Sequence, residues 1–258
     1  MIGTPSLAAG CGIGPNVTGA TAMRRRAAPP RCSSNTRPGL GADCSTPTSA
    51  PPISLTIFAS ANNWIEPRVR SPVADLLADL SRAFTALDIQ WYLFGAQAAI
   101  VYGVARLTGD VDVTVRAPAR MPAAEWIGAV ESHGFERRFT DPRFVEQSRV
   151  IPLVHTASGL PVDLVLAGPG LEEEFFERAV ARNVDDVTVP VIDISDLIVL
   201  KVLAARPKDT EDVLTLLHTQ TGTVDEGRVR RLLGLLEGAL GQSDLLPAFE
   251  EALRRSRG

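Results

Sequence analysis

The chain has 258 residues, 45% of them hydrophobic, and a formal charge of −4; this is enough for a real core and bounds the chain to one large domain or two small ones. The total conceals a split: residues 1–70 hold seven arginines against Asp43 and Glu66, a surplus of about five positive charges, so the remainder is about nine negative. An acidic body argues against broad, non-specific binding of nucleic acid through its phosphates, and any such partner needs a local basic patch.

No apolar run reaches the roughly eighteen residues of a membrane span, so neither a transmembrane helix nor a membrane partner is expected. Residues 1–10 lack a basic n-region and a long apolar core, so no secretory signal is expected. Cys11, Cys32 and Cys44 follow no patterned spacing, which argues against a disulfide framework or a zinc site. The cytoplasm is the expected compartment.

Residues 1–54 are rich in Pro, Gly, Ala, Ser and Thr and show neither helical nor strand period. Such a segment buries too little apolar surface to offset its ordering entropy. Residues 1–70 are therefore expected to be a disordered or mis-started extension, with Met23 as an internal start and Arg24–Arg26 as a solvated run. Ser71 and Pro72 form an N-cap and first-position pair for a helix carrying Leu76, Leu77, Leu80, Phe84 and Leu87 at helical spacing. Ile89–Phe94 is expected as a buried strand, Gly95 as a turn and Ala96–Tyr102 as a short helix. Asp110–Val115 alternates as a half-buried strand should, and a helix over Ala123–His133 closes at Gly134. Arg149–Thr156 and Leu160–Leu166 read as a hairpin, Leu171–Asn183 as a helix and Val187–Ile192 as a short strand. From Ser195 the period is helical: Ser195 caps Asp196–Ala205, Pro207 breaks the run, and helices follow over Asp209–Thr219, Asp225–Leu240 and Ser243–Arg255. The fold class is α/β (α+β), with an α/β core over residues 71–192 and a C-terminal helical region over 193–258.

Chemistry concentrates at Asp110-Val111-Asp112. A period of two sends both carboxylates to one face while Val111 and Val113 point to the other. Adjacent carboxylates repel unless a cation or proton sits between them, and hard oxygen ligands suit magnesium, which keeps few protein carboxylates and shares substrate phosphates. Asp163 stands alone among the apolar residues of Pro161–Val165, where an unpartnered acid is costly. Upstream, Gly95-Ala96 joins strand to helix, where a backbone without Cβ lets a phosphate approach. Arg106 and Thr108 lead into the acidic strand and offer a cation and a hydroxyl to phosphate oxygens. His133, His155 and His218 follow no ligand spacing, and Tyr102 and the tryptophans read as packing residues.

The joint pattern, Gly95-Ala96, then Arg106-Leu107-Thr108-Gly109-Asp110-Val111-Asp112, then Asp163 in a later strand, resembles the nucleotidyltransferase superfamily headed by DNA polymerase beta. It is most similar to the abortive-infection (AbiEii-like) branch, which includes toxins of toxin–antitoxin pairs, and the likeness resumes at Leu200-Lys201 and at Arg206-Pro207-Lys208-Asp209 with Asp212. The resemblance covers roughly residues 75–220. It implies a small mixed sheet flanked by helices and a site binding two magnesium ions. Asp110 and Asp112 would hold the metals that grip a nucleoside triphosphate, and Asp163 would complete the second metal site and help activate the attacking hydroxyl. Gly95, Ala96, Arg106, Thr108 and Lys201 would bind the nucleotide. The family's turn is usually Gly-Gly or Gly-Ser where this chain has Gly95-Ala96, so a serine hydroxyl is absent, and backbone N–H groups or Gln97 would substitute. Asp209 and Asp212 also admit a plain helix-start reading, as N-cap and third residue, and Lys201 a snorkelling one.

The implied reaction moves a nucleoside monophosphate to a hydroxyl of RNA, especially a tRNA end, or of a protein, with a cognate antitoxin as partner. Two other readings stay open: transfer to a small antibiotic-type molecule, and nucleotide binding without catalysis.

Overall fold

The computed structural model describes residues 70–139 and 141–258. The readings made for residues 1–69, the extension with its Met23, arginine run and cysteines, lie outside them. All the described residues belong to one unit.

Helix α1 (Pro72–Ala86) begins where the Ser71 hydroxyl accepts from the Ala74 N–H at 3.2 Å and Pro72 takes the first turn. Leu76, Leu77, Leu80 and Phe84 are fully buried, as their spacing requires. β1 (Trp91–Phe94) runs straight into α2 (Gly95–Val101). Gly95, expected as a separate turn, is instead the first residue of the helix, with a φ of +68° that absorbs the change of direction. β2 (Val111–Val115) starts one residue later than expected, leaving Asp110 just ahead of it. After α3 (Ala123–Glu131) the chain forms two elements without a sequence expectation, β3 (Phe135–Arg137) and α4 (Pro142–Ser148), and then the expected hairpin, β4 (Val150–His155) and β5 (Pro161–Leu166).

The expected helix over 171–183 divides into α5 (Leu171–Arg178) and β6 (Val180–Val184). β6 pairs antiparallel with β7 (Val187–Val191) through a turn in which Asp185 adopts a φ of +53°. Four helices close the chain: α6 (Ile194–Ala204), α7 (Pro207–Thr219), α8 (Glu226–Leu240) and α9 (Leu245–Ser256). α6 is capped by Asp193, which accepts from the Ser195 N–H at 2.9 Å, rather than by Ser195 itself. The Ser195 hydroxyl is engaged elsewhere, accepting from the Asp225 N–H at 3.0 Å. α7 starts at Pro207 with Arg206 as N-cap, so Asp209 lies inside the first turn and is not the cap.

The seven strands lie in the order β3-β4-β5-β2-β1-β7-β6. The β2–β5 and β1–β7 pairs are parallel and the other pairings antiparallel, giving a mixed α/β sheet flanked by helices. One hydrophobic core runs from Val111, Val113, Leu164 and Val191 of the sheet to Leu197, Ile198, Leu216, Leu232 and Phe249 of the helices. Each such side chain contributes about 1.5–3 kcal/mol by leaving water. Inside the helical half, Asp196 on α6 accepts from Arg228 Nε on α8 at 2.6 Å, and Arg228 also reaches Glu174 on α5 at 3.0 Å. Tyr102 is buried, as read from sequence, and His155 is buried between Ser158 and Asp79. Among the described residues no helix is long and apolar enough to cross a membrane.

Candidate functional site

The parallel register of β2 and β5 sets Asp112 directly beside Asp163, with Phe94 of β1 next to Asp112 and Pro152 of β4 next to Asp163. Residues paired across strands project from one face, so two carboxylates separated by about fifty residues of sequence stand side by side. Val111, Val113, Val162 and Leu164 point the other way into the core and fix that choice of face, because slipping either strand by one residue would bury its acid and expose its valines. Asp110 is exposed at the mouth of β2 and accepts from the Thr108 hydroxyl.

Gly95 closes the site from above. A Cβ at this position would overlap the Asp112 carboxylate, so the absence of a side chain is what lets the start of α2 pass over Asp112. Ala96 follows at the helix start and Gln97 is buried within α2.

Burial raises the Asp112 pKa most, and the charges of Asp110 and Asp163 add to it, bringing it to about 6 against the opposing pull of Arg206 and Lys201. Three acids of one sign thus gather here, with Asp112 the most withdrawn from water and under the charge of the other two. Their donors are all carboxylate oxygens, which fit a hard divalent cation. Among the described residues no group of three or more His, Cys, Asp or Glu side chains is gathered closely enough to hold a metal ion by itself.

The basic residues fall into two groups. Lys201 on α6 is buried and donates to Asp212 Oδ2 at 2.6 Å and to Asp209 Oδ1 at 3.5 Å. Arg106 reaches the same Asp212 oxygen at 2.6 Å, and Arg206 holds Asp209. Lys201 therefore neither snorkels to solvent nor extends as a free cation: it knots α6, α7 and the loop before β2 into one ionic cluster whose positive charge reaches Asp112. Arg206, whose own pKa is raised chiefly by its hydrogen bond to Asp209, is the largely exposed member of this group and acts electrostatically on Asp110 and Asp112. On the opposite side, Arg138 donates to Asp163 Oδ1. Neither Arg138 nor Arg206 stood among the site residues expected from sequence. Arg206 was within reach, since it opens the Arg206-Pro207-Lys208-Asp209 motif, but nothing local marks Arg138, which is brought in by strand register alone. An open groove of about 550 Å³ bounded by Leu87, Gln90, Arg116 and Met121 lies at the other end of β1 and β2 and shares none of these carboxylates.

A search of curated proteins returns no match. Among solved structures the chain is similar to the antibiotic-resistance factor ANT(2″)-Ia, at 15% identity over 67% of this chain and 97% of that one, with a TM-score of 0.49. It is also similar to an antigenic nucleotidyltransferase-like protein from Paracoccidioides brasiliensis, at 16% identity over 71% of this chain and 93% of that one, with a TM-score of 0.45. A CCA-adding enzyme in its apo form aligns at 16% identity over 69% of this chain and 46% of that one, with a TM-score of 0.35. Residues 76–237, more than half of the chain, match the model of a family described as a nucleotidyl transferase of unknown function (DUF2204). With the paired acids of β2 and β5 lying inside the matched region, the chain belongs to this nucleotidyl transferase family.

Proposed function

We propose that the chain is a magnesium-dependent nucleotidyltransferase that moves a nucleoside monophosphate from a triphosphate to a hydroxyl of RNA, with a tRNA end as the leading acceptor and a protein hydroxyl as the next. The observation that carries the reading is the register that sets Asp112 beside Asp163 with Asp110 at the strand mouth. Asp110, Asp112 and Asp163 would hold two divalent cations, which supply charge stabilisation for the attacking and leaving oxygens of an in-line displacement. Asp163 would orient the acceptor hydroxyl and take its proton. Gly95 and Ala96 would let the triphosphate approach the backbone above Asp112, and Thr108 would turn its hydroxyl toward a phosphate oxygen while steadying Asp110. Arg106 and Lys201, tied together through Asp212, would give a fixed positive field for the triphosphate. In this reading residues 71–192 carry the chemistry, residues 193–258 supply the helical support through Lys201 and Arg206, and residues 1–70 are an extension.

The motif Arg206-Pro207-Lys208-Asp209 with Asp212 supports placement in the AbiEii-like branch and, with it, a cytoplasmic toxin restrained by an antitoxin. A second reading has one observation in its favour: the acidic body, which suits a cationic small-molecule acceptor better than a polynucleotide. Both are tested by incubating the full chain with magnesium and each of four α-labelled triphosphates, alone, with total tRNA, or with an aminoglycoside. Label on RNA or on protein is the expected result, label on the aminoglycoside alone would transfer the assignment to the second reading, and no label in any arm would end both.

A further inference from the structure

Arg138 stands just past the end of β3, at the edge of the sheet. Its backbone N–H donates to the Pro152 carbonyl at 2.9 Å, and Pro152 is the cross-strand neighbour of Asp163. The backbone is thus pinned to β4 while the side chain reaches over Pro152 to Asp163 Oδ1. Asp163 is its one ion-pair partner among the described residues. The other cations near the acids are held by different carboxylates: Lys201 is buried on Asp209 and Asp212, Arg106 shares Asp212 with it, and Arg206 is held by Asp209. The Arg138 and Asp163 side chains remain 35% and 32% exposed, so water can replace either partner. A pair left about one-third exposed to solvent is weak enough to be exchanged.

We propose that Arg138 is a displaceable counterion of Asp163, holding the third carboxylate until a divalent cation takes its place. The inference rests on the metal reading of Asp110, Asp112 and Asp163 given above. A guanidinium bonded to Asp163 and a divalent cation held by the same carboxylate would draw on the same charge, so each would weaken the other's hold. When the cation binds, the guanidinium swings off the carboxylate while its backbone stays fixed to Pro152. Arg138 is therefore a positioning residue: it keeps Asp163 compensated in the unloaded protein and sets the cation concentration at which that carboxylate becomes available.

The test is Mn²⁺ binding to the full chain, followed by the electron paramagnetic resonance signal of the free ion, which needs no substrate or turnover. Arg138→Gln is expected to bind Mn²⁺ at least about three-fold more tightly than the wild type, and Arg138→Lys to fall between. Arg137→Gln is the control, because Arg137 pairs with Glu131 and does not contact Asp163, so it removes the same charge without freeing the site. Adding Asp163→Asn to Arg138→Gln is expected to abolish the gain. Equal affinity in the wild type and Arg138→Gln, or the same gain in Arg137→Gln, would overturn the inference while leaving the metal reading intact. Absence of Mn²⁺ binding in every protein would overturn both.

Discussion

Replacing Gly95 by alanine makes two demands that can be separated. The first is conformational: Gly95 has a φ of +68°, and an L-residue held in that region costs about 1–2 kcal/mol. Reduced freedom of the unfolded chain returns about 0.4–1 kcal/mol, so the net loss of stability from this source is about 1 kcal/mol. The second demand is local. The new Cβ would overlap Oδ2 of Asp112, and the backbone of α2 is continuous with β1, so the carboxylate must give way. Moving it by about 1 Å is enough to cost on the order of a hundred-fold in rate. Gly103 provides the matched control: its φ is +99°, yet a Cβ there would meet nothing within 4 Å. Gly103→Ala should lose comparable stability in urea unfolding while keeping nucleotidyl transfer near the wild-type rate. Gly95→Ala should lose about a hundred-fold in transfer, measured as label incorporation at saturating triphosphate. Equal activities in the two variants would refute the claim that Gly95 exists to make room for Asp112.

Lys201→Met removes the centre of the ionic cluster but leaves Arg106 on Asp212 and Arg206 on Asp209, so a loss of about 2–4 kcal/mol is expected by chemical denaturation. A change within about 0.5 kcal/mol would mean that the cluster is not buried as described. Arg228→Met leaves Asp196 with Arg178, at 3.3 Å, as its one ion-pair partner among the described residues, and should cost about 3–5 kcal/mol while sparing transfer wherever the variant is folded; a large rate loss in folded protein would contradict its structural role. Burial pushes Asp209 up, but the Arg206 hydrogen bond and the Lys201 and Arg206 charges outweigh it and hold the carboxyl below its ordinary 3.8. Its stabilisation is therefore present above pH 3.8 and lost as pH falls through the lower folded value, so acid unfolding curves should flatten in Asp209→Asn. An unchanged pH dependence would count against the pair.

Local patterns were the legible part of the fold. The Ser71-Pro72 start, the alternation through Val111, Val113 and Val115, and the hairpin around Ala157–Gly159 each depend on residues near in sequence, and each forms. Errors arose where two local solutions compete and a distant partner decides. Asp193 and Ser195 are both competent caps, and the choice is made by Asp225, thirty residues away, which claims the Ser195 hydroxyl. The stretch from Leu171 to Asn183 suits a helix until Val180 and Val184 pair with Val187–Val191, a gain available only once β7 lies on the sheet. The acids of the site were visible from local pattern: Asp110 and Asp112 share one face of an alternating strand, and Asp163 is an acid in an apolar one. Their adjacency was implied by the family resemblance and by no local pattern, since it depends on a parallel pairing across the intervening β3–β4 excursion. Arg138 was hidden for the same reason, and the ion-paired state of Lys201 required the packing of α6 on α7.

The most direct test of the account is pyrophosphate release from each of four triphosphates, with magnesium and acceptor present, comparing the wild type with Asp112→Asn plus Asp163→Asn. Release that requires magnesium, stops on chelation and falls by at least about a thousand-fold in the double variant is predicted, because the paired carboxylates are its source. Release that survives in the folded double variant, or that continues without a divalent cation, would contradict the assignment of the chemistry to the β2–β5 pair.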